Sequence, residues 1–196
     1  MPAITYFLIL VLLLSKRTTS VGSKCGFEKM LVHVVSGSST YRESGVVGSA
    51  SDRPDLYVRV TYTSPRSDGS YDRDTFVGVT RVASNRPEAL FETGMLYDWR
   101  RYSRGSQDMR CDSSLIVALW DRNSLLPDTS LARVAFFVRD LILHNDSLIT
   151  HSDSQWTGLF SRHQLLHNIT FKVSLWPSTP SLPATKDFCA RCEQGV

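Results

Sequence analysis

Between residues 56 and 63 the chain reads LYVRVTYT. Leu56, Val58, Val60 and Tyr62 fall on one side of an extended backbone, and Tyr57, Arg59, Thr61 and Thr63 on the other. A period of two marks a strand with one buried face. Thr75–Ala83 (TFVGVTRVA) alternates in the same way, and Lys29–Val35 (KMLVHVV) reads as a first strand. Phe91–Trp99 is mixed and is interrupted by Gly94. Ser114–Trp120 (SLIVALW) is almost continuously apolar, as expected of a strand covered on both faces. Leu131–Val138, Gln155–Phe160 and Ile169–Leu175 complete a set of eight. Turn-forming residues crowd Ser36–Pro54, Ser64–Arg73, Asn85–Pro87, Ser103–Ser113 and Asn123–Ser130. No stretch has a clear helical period and no internal repeat is visible. The expectation is an all-β chain: an eight-stranded antiparallel β-sandwich.

The earlier apolar run is of another kind. Tyr6–Leu14 is nine apolar residues without a break. A bilayer needs about 20, so this predicts the core of a cleaved signal peptide over residues 1–20. Small polar residues follow at Thr18, Thr19, Ser20 and Ser23. Loss of Lys16 and Arg17 with that leader leaves 20 basic against 19 acidic side chains. The net charge of the mature chain is then +1, and the basicity of the full sequence gives no reason to expect nucleic acid as a partner. With 196 residues, 42% hydrophobic and 21% charged, the composition is that of a single folded domain. It excludes collagen, coiled coil and disorder. The domain is expected over residues 25–176, followed by a Pro/Ser-rich tail over 177–196 that ends in Cys189-x-x-Cys192.

A secreted, extracellular location agrees with two further features. Asn145-Asp146-Ser147 and Asn168-Ile169-Thr170 are acceptor sequences for glycosylation. The cysteines are four, Cys25, Cys111, Cys189 and Cys192, an even number that suits disulfides in an oxidising compartment. Three pairings are open. The economical one staples the tail back, one tail cysteine to Cys25 and the other to Cys111. A bridge closing more than 100 residues contributes roughly 4–5 kcal/mol by chain entropy. A redox role for Cys189 and Cys192 is disfavoured, because no strand leads into the pair and no helix starts after it.

Three segments in order resemble the C2 domain family. Ser51-Asp52-Arg53-Pro54-Asp55-Leu56-Tyr57-Val58-Arg59-Val60 is similar to the family's Asp-Pro-Tyr-Val-Lys-Val strand. Thr80-Arg81-Val82-Ala83-Ser84-Asn85-Arg86-Pro87, with Phe91-Glu92 after it, looks like its Lys-Thr-x-Val…Asn-Pro segment. Leu115–Asn123 (LIVALWDRN) resembles its Leu-x-Val-x-Val-Trp-Asp-x-Asp strand. The resemblance runs from about Met30 to Leu175. It implies calcium-binding loops at one end of the sandwich and, in most members, attachment to membrane phospholipid. Members that have lost the metal bind proteins.

Ca²⁺ takes 6–8 oxygen ligands at about 2.3–2.6 Å, so separate loops must bring carboxylates together. The resemblance places Asp55 and Asp121 at two such positions. The second carboxylate of the later loop falls on Asn123, a neutral oxygen donor. Asp128 stands one residue short of a further position. The earlier first-loop carboxylate falls near Ser49, a departure for which Asp52 or Glu43 could substitute. Each of these residues has an ordinary alternative as a solvated turn residue. Leu125 and Leu126 lie between Asn123 and Asp128, placed either to insert into a membrane or partner or to fold under the loop. Arg100, Arg101 and Arg104, interleaved with Trp99 and Tyr102, form a basic and aromatic segment suited to phosphate headgroups or acidic glycans. The histidines do not cluster. His163 and His167 have i, i+4 spacing but no acidic third ligand nearby. No phosphate loop, nucleophile elbow or triad is visible, so an enzyme is not expected. The first reading is a secreted C2-like module binding calcium and phospholipid. The alternative is a calcium-independent module binding an extracellular protein on the same sandwich, and a secreted hydrolase stands third.

Overall fold

The computed structural model describes residues 27–40, 53–63, 75–98, 111–123, 127–156 and 164–177. Eight strands are present: β1 (Phe27–Ser39), β2 (Leu56–Thr63), β3 (Thr75–Val79), β4 (Glu88–Asp98), β5 (Ser114–Asp121), β6 (Thr129–Phe137), β7 (Leu148–Trp156) and β8 (Gln164–Pro177). They form two four-stranded sheets with orders β4-β1-β8-β7 and β3-β2-β5-β6. Every pairing is antiparallel. This is the eight-stranded antiparallel sandwich that the alternating pattern predicts.

The period of two is what closes the core. Leu56, Val58, Val60 and Tyr62 of β2 point inward beside Leu115, Val117 and Leu119 of β5, and all are buried. The opposite sheet contributes Met30, Val32 and Val34 from β1 and Ile169, Phe171, Val173 and Leu175 from β8. Each such side chain stabilises the fold by about 1.5–3 kcal/mol through loss of apolar surface from water. Phe136 and Phe171 meet across the sandwich with ring centroids 6.0 Å apart at 62°, an edge-on contact. At Gly37 the two sheets come too close for a side chain. A Cβ there would lie 2.8 Å from Cδ1 of Leu119 and 3.1 Å from Phe91.

Several boundaries differ from expectation. β7 begins at Leu148 rather than Gln155, and Phe160 lies outside the described residues. No side chain from Leu148 to Ser154 is buried, so the strand carries no apolar alternation to read. Its pairing comes from main-chain bonds to β8 at the sheet edge. β3 stops at Val79, and Val138, expected to end a strand, opens a one-turn helix α1 (Val138–Leu141). Val138 and Leu141 of that turn are buried and cap the core. β4 contains a bulge where Glu92 takes a left-handed φ of 44°, opposite the step from Val34 to Ser36.

Candidate functional site: the loop end of the sandwich

The register places the end of β5 beside the start of β2, with Leu56 opposite Asp121. It also places the end of β1 beside the starts of β4 and β8, with Ser38 opposite Glu88 and Ser39 opposite His167. Residues 53–55, 80–87, 122–123 and 127–128 therefore share one end of the molecule with Ser39 and His167. Asp55 and Asp121, 66 positions apart, meet there.

One oxygen of each accepts a main-chain N–H. Asp121 is 2% exposed, and its Oδ1 accepts the main-chain N–H of Asp55 at 2.7 Å. The resemblance implies a loop position for Asp121; the structure buries it at the last position of β5. Asp55 passes the arrangement on, since its Oδ1 accepts the N–H of Asn85 at 2.6 Å. Asn85 has a left-handed φ of 55°, which Asn tolerates better than most residues. Its own side-chain oxygen accepts the N–H of Arg53 at 3.2 Å. Main-chain bonds from Arg86 to Pro54 and from Arg122 to Asp55, each 3.0 Å, close the same ring. Residues 53–55, 85–86 and 121–122 are thus tied to one another by the chain's own groups.

Asp128 and Asn123 form a second knot. Oδ1 of Asp128 accepts the N–H of Asn123 at 3.1 Å, and its Oδ2 accepts the Tyr57 hydroxyl at 2.6 Å. The side-chain amide of Asn123 donates to the carbonyl of Pro127 at 3.0 Å and to Oγ1 of Thr129 at 3.1 Å. Burial, then the hydrogen bond to Asp128, push the Tyr57 phenol up to about 12. The same hydrogen bond holds the Asp128 carboxyl below its usual range, with the Asn123 N–H and the Arg122 charge adding to it.

The described carboxylates are engaged in part by the chain's own groups. Asp55 and Asp121 each have an oxygen bonded to a main-chain N–H, and Asp128 has both oxygens engaged. The Arg122 guanidinium is close enough to act on Asp128 and Tyr57, where a cation would have to compete with it. Among the described residues no three His, Cys, Asp or Glu side chains group so as to hold a metal. Asp52, the expected supplement, lies outside the described residues. So do Leu125, Leu126, Arg100, Arg101 and Arg104.

Sequence reasoning did not anticipate Asn85 or Tyr57 as site residues. Asn85 carried a signal, since Asn ahead of a proline-containing turn marks left-handed backbone. Tyr57 carried none, because its partner is 71 positions away. Cys111 is disulfide-bonded, while Cys25, Cys189 and Cys192 lie outside the described residues. Asn145, in the turn before β7, accepts the N–H of Leu175 at 2.9 Å through its side-chain oxygen. Asn168, on the central strand β8, donates its amide nitrogen to Ser38 Oγ at 3.2 Å.

Beneath the loops, His167 is fully buried. Its Nδ1 lies 2.9 Å from Oγ of the buried Ser39, and its Nε2 has no hydrogen-bond partner among the described residues. Burial pushes its pKa below the ordinary 6.5, against the Asp153 charge on β7, which raises it. The fold therefore favours neutral His167. Its contribution to stability is complete above the unfolded value of about 6.5 and is lost as pH falls through that value toward the lower folded one. We expect the melting temperature to drop between pH 7 and pH 5, and His167→Gln to flatten that drop. Identical pH profiles for the two proteins would refute it.

No family model matches the sequence, and no curated protein does. Solved structures that are similar include the first C2 domain of plant extended synaptotagmin 1, at 10% identity and a TM-score of 0.49, covering 79% of this chain and 98% of that one. A C2 domain of BON1 is similar at 17% identity and 0.42, with 82% and 99% covered. The tandem C2 domains of extended synaptotagmin 2 are similar at 8% identity and 0.47, with 76% of this chain and 41% of that one covered. In fold, this chain is a sandwich similar to C2 domains.

Proposed function

We propose that this chain is a secreted, calcium-independent interaction module that binds an extracellular protein through the loop end of a C2-like sandwich. The observation that carries the reading is the buried Asp121 carboxylate bonded to the Asp55 N–H at 2.7 Å. At the positions where the sequence resemblance implies metal ligands, the carboxylates instead fasten the loops with hydrogen bonds. A loop end set in this way needs no ion to reach its binding shape, and a preorganised surface binds at lower entropic cost. Secretion is supported by the Tyr6–Leu14 run and by the disulfide at Cys111.

The test is a thermal melt of the secreted protein in chelator and in Ca²⁺ at ten times a dissociation constant of ~1 mM. Binding to the native state alone would add roughly 1.4 kcal/mol, a few degrees in Tm. No shift is expected, and no calcium-dependent retention on phosphatidylserine vesicles. A saturable shift that Asp55→Asn removes would restore calcium and phospholipid as the function.

A further inference from the structure

The outer face of the β4-β1-β8-β7 sheet changes character along its length. Side chains alternate across a strand, and buried Ala89, His167 and Ile169 set Glu88, Leu90, Leu166, Asn168 and Thr170 on the outer side. The register stacks these into cross-strand rows. Ser38, Asn168 and Ser152 form one row, with Glu88 at its β4 end. Leu90, Ser36, Thr170 and Thr150 form the next, and the two threonine hydroxyls meet at 3.2 Å. Toward the loop end, Leu166 stands opposite Ser154, and its N–H donates to the Thr40 hydroxyl. Lys29, His33, Asp98 and Lys172 belong to rows in the other half of the sheet.

The half nearer the loops is therefore a ladder of hydroxyls around one amide, with Glu88 as the charge in its rows. Two leucines interrupt it: Leu90 is 71% exposed and Leu166 48%. Exposed leucines on a nearly uncharged sheet face favour association unless something covers them. Asn168 lies in the middle of these rows and opens the acceptor sequence Asn168-Ile169-Thr170. Its side chain is half-buried, between the fully buried His167 and Ile169, and its Nδ2 donates to Ser38 Oγ at 3.2 Å. An amide nitrogen carries two hydrogens, so one can be replaced by a sugar while the other remains for Ser38.

We propose that Asn168 carries an N-linked glycan whose first sugars lie over this half of the sheet and close it to protein partners. In the transfer, Nδ2 forms a bond to C1 of the sugar and gives up a proton. The C1–O bond to a lipid-linked diphosphate breaks, and the lipid diphosphate leaves with the bonding pair. Transfer acts on the chain before β8 is paired, so the fold has only to house the product on its outer side. Pyranose rings offer hydroxyls to the Ser and Thr rows and apolar C–H faces to the leucines. By strand geometry Leu166 lies about 7 Å from Asn168 and Leu90 about 12 Å. The proposal rests on the secretion read from the leader, because the lipid-linked donor belongs to the secretory pathway. A covered sheet leaves the loop end for a partner.

The test expresses the full chain, leader included, in eukaryotic secretory cells as Ser147→Ala, which removes the Asn145 sequon and leaves that of Asn168. Peptide N-glycosidase should strip one glycan from the secreted protein, and mass mapping should place the modification on Asn168. In the same background Thr170→Ala should lose the glycan entirely and Thr170→Ser should keep it. Asn168→Gln and Thr170→Ala should both bind more of a hydrophobic dye and aggregate sooner than the glycosylated chain. Adding Leu90→Ser and Leu166→Ser should cancel that rise. A cleaved leader on a secreted chain with unmodified Asn168 overturns the glycan and leaves secretion standing. A retained chain with its leader uncleaved overturns both. A glycan whose loss changes neither dye binding nor aggregation overturns the cover.

Discussion

Phe171→Ala is expected to cost about 3–5 kcal/mol of stability, the range for truncating a fully buried aromatic side chain. Phe171 sits in the central strand β8 with no exposed surface, paired to Val34 of β1 and Ile149 of β7. Its ring also bridges the two sheets through Phe136, so neither sheet can relax into the gap without losing the other contact. For a chain of this size the melting temperature should fall by roughly 6–20 °C. Leu166→Ala on the same strand serves as the comparison, since Leu166 is 48% exposed and surface changes stay within about 0.5 kcal/mol. Urea denaturation of both variants checks the contrast. Equal midpoints would mean that the two sheets do not share the core described for them.

Asp121→Ala is expected to cost about 1–3 kcal/mol, the penalty for a buried donor left without its acceptor. The donor is the Asp55 N–H, and the loss passes to Asn85, whose N–H is held by Asp55. Asp121→Asn keeps an oxygen at the same place and should recover part of the loss. Hydrogen exchange at the amides of Asp55 and Asn85 should quicken in the alanine variant more than at Val117 in the middle of β5. If Asp121→Ala melts with wild type, the carboxylate is not the fastener of the loop end. A calcium ligand held in reserve would behave in the opposite sense. Its removal would relieve repulsion between clustered carboxylates and leave the metal-free protein unharmed or steadier.

The strands that face the core were legible because their signal is local. β2 and β5 begin where the pattern places them, and β5 runs one residue further, to Asp121. The near-continuous apolar run of β5 also finds its reason, since Ile116 and Ala118 point outward and are still covered. β7 was not legible, because an edge strand with no buried side chain between Leu148 and Ser154 leaves no trace in hydropathy. α1 was missed because a single turn is shorter than any helical period that a pattern could register.

The candidate site divides along the same line. The identity of the residues at the loop end, Asp55, Asp121, Asn123 and Asp128, could be read from their place beside strands and turns. Their role could not. Whether a carboxylate oxygen faces an ion or a backbone N–H depends on distances of 2.6–3.1 Å between residues up to 66 positions apart. Likewise Arg59 and Arg133 carry no signal in the sequence and share a cross-strand row only because β2 and β6 flank β5 in one register. Alternation along the chain, a matter of each residue's two neighbours, by itself determined that this protein is an antiparallel sandwich. What its polar groups do was decided only in three dimensions, because a hydrogen bond is fixed by direction and distance between atoms that the sequence keeps far apart.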